Sequence, residues 1–280
     1  MAKLLATDLD GTLFYPRQKR RCIPKKNVKF LRKWIDKGNR LVLITSRSTQ
    51  FLARLKDEIQ RPFDGLCCSS AEVVVGDKLI RETSIPNETL ESLLKDIADK
   101  YHPLGFMVTS PDYPLVVKQE KKISWLFKLI YKLYYIFQFK YREECIMDND
   151  LFDKIVKEGK PLKVMVVFGI GKSKNQISKE INKALREVYT EVEASWSDIV
   201  IEITPKGCSK GEGLEYYCNA LNINQDDVYV VGDSGNDIAM FQKFHENSYC
   251  MMHSFTSVRK YAKHTISRVY NLDNIVLKGE

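Results

Sequence analysis

Apolar runs and amphipathic stretches alternate along both ends of the chain. Leu4-Leu5-Ala6 is an uninterrupted apolar run that reads as a buried strand. Val28, Leu31 and Ile35 then fall on one face of a helix that stops at Lys37-Gly38, a glycine stop of the usual kind. Residues 40–47 read as a second buried strand ending in polar residues, and 48–60 as a helix. Residues 64–81 read as short strands around a Gly76-Asp77 hairpin turn. Strand, helix, strand, helix, strand predicts an α/β fold, a Rossmann-like parallel sheet with helices on both faces. The rhythm returns late in the chain, with helices over Gly211–Leu221 and Ile238–Phe244 and a strand over Asp227–Val231.

Between these blocks the pattern changes. From Ser84-Ile85-Pro86 onward the chain reads as a helix over 87–100, then a proline-punctuated stretch to Pro114. Strands at Leu162–Phe168 and Ile199–Ile203 bracket a helix at 176–188. Residues 84–204 are therefore expected to form an inserted α+β domain, with 1–83 and 205–280 as the core. Within the insert, Ile123, Leu126, Ile130, Leu133 and Phe137 make one apolar stripe, with Lys121, Lys128 and Lys132 opposite, beside Trp125 and Tyr135. A core-facing helix is the favoured reading, and membrane-surface contact or dimer packing the alternative.

Composition narrows the class without changing it. With 29% charged and 44% hydrophobic residues the chain is ordinary for a soluble globular protein. It has no apolar run near the length of a signal peptide or of a membrane span, so the expectation is a cytoplasmic protein without stable membrane association. Seven cysteines, two of them adjacent at Cys67-Cys68, suit reduced thiols better than a disulfide framework. The formal net charge is +8, and residues 17–40 hold 11 lysines and arginines against the single acid Asp36. A solvated helix face is the favoured reading of that run. A funnel for anionic substrates is the alternative, and no nucleic-acid motif accompanies the charge.

The candidate chemistry sits at the ends of the buried strands. Asp8 and Asp10 stand two apart at the end of the first one, where ligands bind in open α/β sheets. Crowded carboxylates favour a bound cation or a raised pKa. Gly11 allows a sharp turn and Thr12 adds a hydroxyl. Thr45-Ser46 follows the second strand, Lys210 opens the helix at 211–221, and Gly232-Asp233-Ser234-Gly235-Asn236-Asp237 follows the late strand. Each cluster alone reads equally well as a cap or a turn, but four in this order make coincidence a poor account. Gly169-Ile-Gly-Lys-Ser173 looks like a nucleotide-binding loop, yet Val166 stands where that loop needs a glycine, so it reads as a polar turn.

Taken together, Asp8-x-Asp10-Gly11-Thr12, Thr45-Ser46-Arg47, Lys210-Gly211 and Gly232-Asp233-x-x-Asn236-Asp237 resemble the four motifs of the haloacid dehalogenase superfamily, along the whole chain. The insert resembles the large cap of its Cof-like branch. The resemblance implies that Asp8 is the nucleophile that forms an aspartyl-phosphate and Asp10 the acid/base. It implies Mg2+ held by Asp8, the Asp10 backbone carbonyl and Asp233, with Asp237 ligating or orienting. Thr45, Ser46, Lys210 and Asn236 would bind the transferring phosphoryl group. An Asp at position 10, where ion-pumping relatives carry Thr, implies hydrolysis. Ser46 stands in the place of a usual Gly, Ser234 of a frequent Asn, and Met251–Phe255 of a Gly-Asn-Ala segment. The expectation is a phosphatase of a small phosphorylated metabolite, sugar phosphates being the common class. A phosphomutase or a non-catalytic anion binder are the alternatives, and the expected state is a monomer or weak homodimer. Glu202, Lys206 and the 101–107 loop are the candidates for setting specificity.

Overall fold

In a computed structural model, which describes residues 2–119, 139–168, 180, 183, 185, 187–197 and 200–277, the first apolar run is strand β1 (Leu4–Asp8). Leu4, Leu5, Ala6 and Thr7 are all fully buried, so the strand is buried along its length rather than at alternate positions. It is followed by α1 (Lys25–Asp36), β2 (Arg40–Ile44), two short helices α2 (Thr49–Ala53) and α3 (Leu55–Ile59), then β3 (Asp64–Cys67), β4 (Glu72–Val75) and β5 (Lys78–Glu82). The helix expected over 48–60 is thus two short ones meeting at Arg54.

The chain divides into two compact units, Met1–Arg81 with Ser209–Glu280, and Glu82–Cys208. The second unit contains α4 (Asn87–Tyr101), β6 (Gly105–Thr109), β7 (Val116–Gln119), β8 (Ile146–Met147), α5 (Asn149–Glu158), β9 (Lys163–Val167), β10 (Val192–Ser197) and β11 (Val200–Pro205). Its sheet runs β10-β11-β9-β6-β7-β8. Phe106, Val108, Val164, Val166, Ile201 and Ile203 alternate inward and pack with Leu90, Leu93 and Ile97 of α4 and Phe152 of α5. Strands β6, β7, β8 and β10 and helix α5 are additions to the sequence-based reading. The helical stripe over 121–140, the polar turn at 169–173 and most of the helix at 176–188 lie outside the described residues.

The first unit is completed by α6 (Lys210–Ala220), β12 (Val228–Gly232), α7 (Ile238–Lys243), β13 (Ser248–Met251), α8 (Thr256–Arg259) and β14 (His264–Ile266). Its sheet runs β14-β13-β12-β1-β2-β3-β4-β5. Strands β14 through β3 are parallel, and β4 turns back antiparallel to β3. This is the α/β parallel-sheet core that the alternating pattern predicts. The carboxyl ends of the parallel strands share one edge, so Asp8, Thr45 and Asp233 are neighbours although far apart in sequence.

Helix α1 buries Asn27, Val28, Phe30, Leu31 and Trp34, and the Trp34 indole N–H donates to the Arg40 carbonyl at 2.8 Å. Lys25, Lys26, Lys29, Lys33 and Lys37 are exposed, so the basic run lies largely on a solvated face. Some of its charge ties the fold together: Lys33 pairs with Asp273 at 2.5 Å and Arg40 with Asp64 at 2.9 Å. All seven cysteines are free thiols. No helix among the described residues is long and apolar enough to cross a membrane.

Helix α6 presses against the turn between β3 and β4. A Cβ added at Gly213 would lie 2.1 Å from Ser70 Cβ and 2.2 Å from its Oγ. Gly213→Ala is therefore expected to cost about 1–3 kcal/mol through overpacking, read as a lowered urea midpoint. The same substitution would tilt the helix that begins with Lys210.

Candidate active site

Asp8 ends β1 and is buried, with only 5% of its surface exposed. Its Oδ1 accepts a hydrogen bond from Lys210 Nζ at 2.6 Å. Its Oδ2 is buried with no hydrogen-bond partner. The same ammonium donates to Asp237 Oδ1, also at 2.6 Å. Lys210 is placed by the capped start of α6, where the Ser209 hydroxyl accepts from the Glu212 N–H.

Asp233 and Asp237 come from the loop after β12. Thr12 Oγ1 donates to Asp233 Oδ1 at 2.8 Å, joining the two acidic loops. Gly11 sits at φ +82° against this carboxylate; a Cβ there would lie 2.3 Å from Asp233 Oδ2. Both the left-handed backbone and the close approach require glycine. Asp237 is fully buried. Its Oδ2 accepts from the backbone N–H groups of Asp233 and Ser234, at 2.8 and 2.9 Å. Both of its oxygens are thus committed, one to Lys210 and one to the loop.

Ligand oxygens of Asp8, Asp233 and Asp237 all lie within 4.8 Å of one another. Three carboxylates face one ammonium, so the ionised cluster is two charges short of neutrality. The electrostatics follow. Burial pushes the Asp8 carboxyl well above the usual range, and the charges of Asp237 and Asp233 add to this against the pull of Lys210. Burial and Asp237 likewise push Asp233 up to about 7. Burial works against the Lys210 charge, but Asp237 and Asp8 outweigh it and hold its pKa above the usual value. A divalent cation would restore the balance, and the Asp8 and Asp233 carboxylates are the side-chain groups that could hold it.

Asp10 is arranged differently. Its carboxylate is turned to Arg47, which donates from Nε at 2.6 Å and from Nη2 at 2.8 Å. This two-point fork fixes the orientation of the acid. Arg47 also lies over the buried ring of Phe51 at 4.2 Å. The side chain of Asp10 is not among the clustered metal-ligating groups of the described residues.

Thr45 and Ser46 follow β2, one position past the Asp8–Ile44 pairing. Thr45 is buried and its Oγ1 accepts from the Arg47 N–H at 3.1 Å. The turn Cys68-Ser69-Ser70 runs left-handed, with φ of 50°, 56° and 77°. It supports this loop: Ser69 N–H donates to the Thr45 carbonyl and Cys68 N–H to that of Arg47. Left-handed conformation in three consecutive non-glycine residues is costly, of the order of 1 kcal/mol each. Asn236 is half-buried, and its Oδ1 accepts from the Ser234 hydroxyl at 2.8 Å.

The sequence motifs thus bring Asp8, Asp233, Asp237 and Lys210 together, with Thr45, Ser46 and Asn236 on loops of the same edge. They leave unassigned the Arg47 clamp, although Arg47 stands within the second motif, and the left-handed turn beneath it. Arg47→Ala frees the Asp10 carboxylate. Turnover is expected to fall about 10- to 100-fold, with Arg47→Lys recovering only part because a point charge cannot form the fork. Steady-state kinetics on an aryl phosphate measures both.

Comparison with known proteins gives the family. Residues 5–276 match the model of the haloacid dehalogenase-like hydrolases. The chain is 25% identical over 281 residues to an uncharacterized protein of Mycoplasma capricolum, covering 97% of this chain and 99% of that one. It is 23% identical over 251 residues to the 5-amino-6-(5-phospho-D-ribitylamino)uracil phosphatase YwtE of Bacillus subtilis, covering 86% and 84%. The crystal structure of SMU.1108c from Streptococcus mutans superposes with a TM-score of 0.80 at 19% identity, over 99% of this chain and all of that one. From the family match along nearly its whole length, the chain belongs to the haloacid dehalogenase-like hydrolases, in the Cof-like phosphatase branch.

Proposed function

We propose that the protein is a magnesium-dependent phosphohydrolase acting on a small phosphorylated metabolite, a sugar or polyol phosphate, through an aspartyl-phosphate on Asp8. The observation that carries this is the Asp8 carboxylate: one oxygen is fixed by Lys210 and the other is buried without a partner, beside two more acids. Such a group is held in place, yet one oxygen remains for phosphorus or for a cation.

Asp8 attacks the phosphorus, and the bond to the ester oxygen breaks as Asp10 gives that oxygen a proton. Asp10 then takes a proton from water, which attacks the phosphorus and releases inorganic phosphate, returning Asp8. Lys210 stays charged throughout and offsets the negative charge around Asp8, while Thr45, Ser46 and Asn236 hold phosphoryl oxygens. Asp8, the Asp10 carbonyl and Asp233 would hold Mg2+, with Asp237 orienting the loop. The cation supplies charge neutralisation for the phosphoryl oxygens. The unit spanning Glu82–Cys208 would serve as the cap that sets substrate choice. The ribityl phosphate monoester in the name of the Bacillus relative is the support for a sugar-derived substrate.

A panel of phosphate monoesters assayed with and without magnesium tests this. Turnover of at least one sugar or polyol phosphate, lost with chelator and restored by Mg2+, is the expected result. Phosphate release unaffected by chelation would overturn the metal dependence. No release from any monoester would overturn the hydrolase reading itself.

A further inference from the structure

Outside the acid cluster, three side chains converge on the turn that carries Asp10. His253, in the loop after β13, stacks on Tyr15 with ring centroids 4.0 Å apart and planes 29° apart. Burial and Arg268 hold its pKa below the usual value, while the Gly11 backbone beside the ring pulls the other way. Arg268, just past β14, lies over the same Tyr15 ring, 4.5 Å from the centroid. Its Nη1 donates to the Ser267 carbonyl at 2.5 Å. His253 is an exposed residue between Met252, 55% exposed, and Ser254, so core packing does not explain its place.

The turn needs such support. Residues 9–13 have no regular backbone: Asp10 is extended at φ −75°, ψ 121°, and Gly11 is left-handed. Phe14 N–H donates to the Leu9 carbonyl and Tyr15 N–H to the Thr12 carbonyl, at 2.9 and 3.1 Å. Arg47 fixes the Asp10 carboxylate from the β2 side. The β13 and β14 loops reach the turn at Gly11 and Tyr15.

We propose that His253 and Tyr15, backed by Arg268, are positioning residues that clamp the catalytic turn and so set the orientation of Asp10. The kinetic part of this rests on the phosphohydrolase reading above. It also gives a use to the segment Met251–Phe255, where the chain departs from the Gly-Asn-Ala of its family.

His253→Phe keeps a flat ring on Tyr15 and removes the polar contact to Gly11. His253→Asn and His253→Gln place an amide near the positions of Nδ1 and Nε2. For His253→Phe, kcat on an aryl phosphate is expected to fall about tenfold, since small errors in placing a catalytic group are costly. KM should change less than twofold. One of the two amide variants should recover part of the loss, and Met252→Ala should leave both constants unchanged. Hydrogen–deuterium exchange over residues 10–16 reads the clamp without any turnover, and should quicken in His253→Phe and in Tyr15→Leu. Unchanged exchange there overturns the clamp, whatever the activity. A raised KM with unchanged kcat overturns it too, pointing to substrate contact instead. A wild-type enzyme inactive on every monoester, with exchange quickened as expected, would fault the hydrolase reading and leave the clamp standing.

Discussion

Asp8→Asn is expected to abolish turnover of aryl and sugar phosphates, by about 10^4-fold or more, with no fall in the melting temperature of the metal-free protein. The amide is nearly the shape of the carboxylate but has no anionic oxygen to attack phosphorus. Its carbonyl oxygen can still accept from Lys210, and Lys210 keeps its second bond to Asp237. The folded state also gives up an unfavourable charge, because burial already disfavours ionised Asp8. Loss of catalysis without loss of structure separates a nucleophile from a structural acid. Kinetics beside thermal melts in chelator would show it. Activity within tenfold of wild type would remove Asp8 from its assigned role.

The fold and site were legible in unequal measure, for physical reasons. A strand buried on both faces must be apolar throughout, which is why β1 and β2 stand out as Leu4–Ala6 and Leu41–Ile44. Parallel strands also share an edge, so acids and a lysine after separate strands could be placed together without knowing the packing. Strand β6 lies between Pro103 and Pro111 and shows its alternation only in Phe106 and Val108, too few positions to fix a period. The Arg47–Asp10 fork joins two loops 37 residues apart and depends on side-chain direction, which no local pattern encodes. The turn at Cys68–Ser70 is harder still: three left-handed residues without a glycine or asparagine give no local signal for that backbone. Sequence spacing leaves the role of Asp237 open between ligand and orienter, because it says nothing of which oxygens the loop engages.

Asp233→Asn is expected to separate stability from metal binding, with a sign that depends on pH. Burial, then the charge of Asp237, pushes the Asp233 carboxyl up to about 7, against an ordinary value of 3.8. Between these values the folded protein binds more protons than the unfolded chain, so metal-free stability falls as pH rises through that window. Asp8 is shifted in the same direction and adds to the slope. The loss should amount to a few kcal/mol, on the order of 1.4 kcal/mol per pKa unit. A divalent cation competes with these protons, so magnesium should raise the melting temperature little at pH 5.5 and substantially at pH 8. Asp233→Asn has no carboxylate to ionise. At pH 8 without metal it should melt above wild type, gain little from magnesium, and lose turnover by orders of magnitude. Scanning fluorimetry from pH 5.5 to 8, with and without magnesium, measures the first two effects independently of activity. A magnesium gain equal at both pH values would contradict the proton competition, and a full gain in the variant would remove Asp233 as a ligand. The higher metal-free stability of the variant is the informative half of the result, because it shows that the chain keeps this carboxylate at a cost to its own folding.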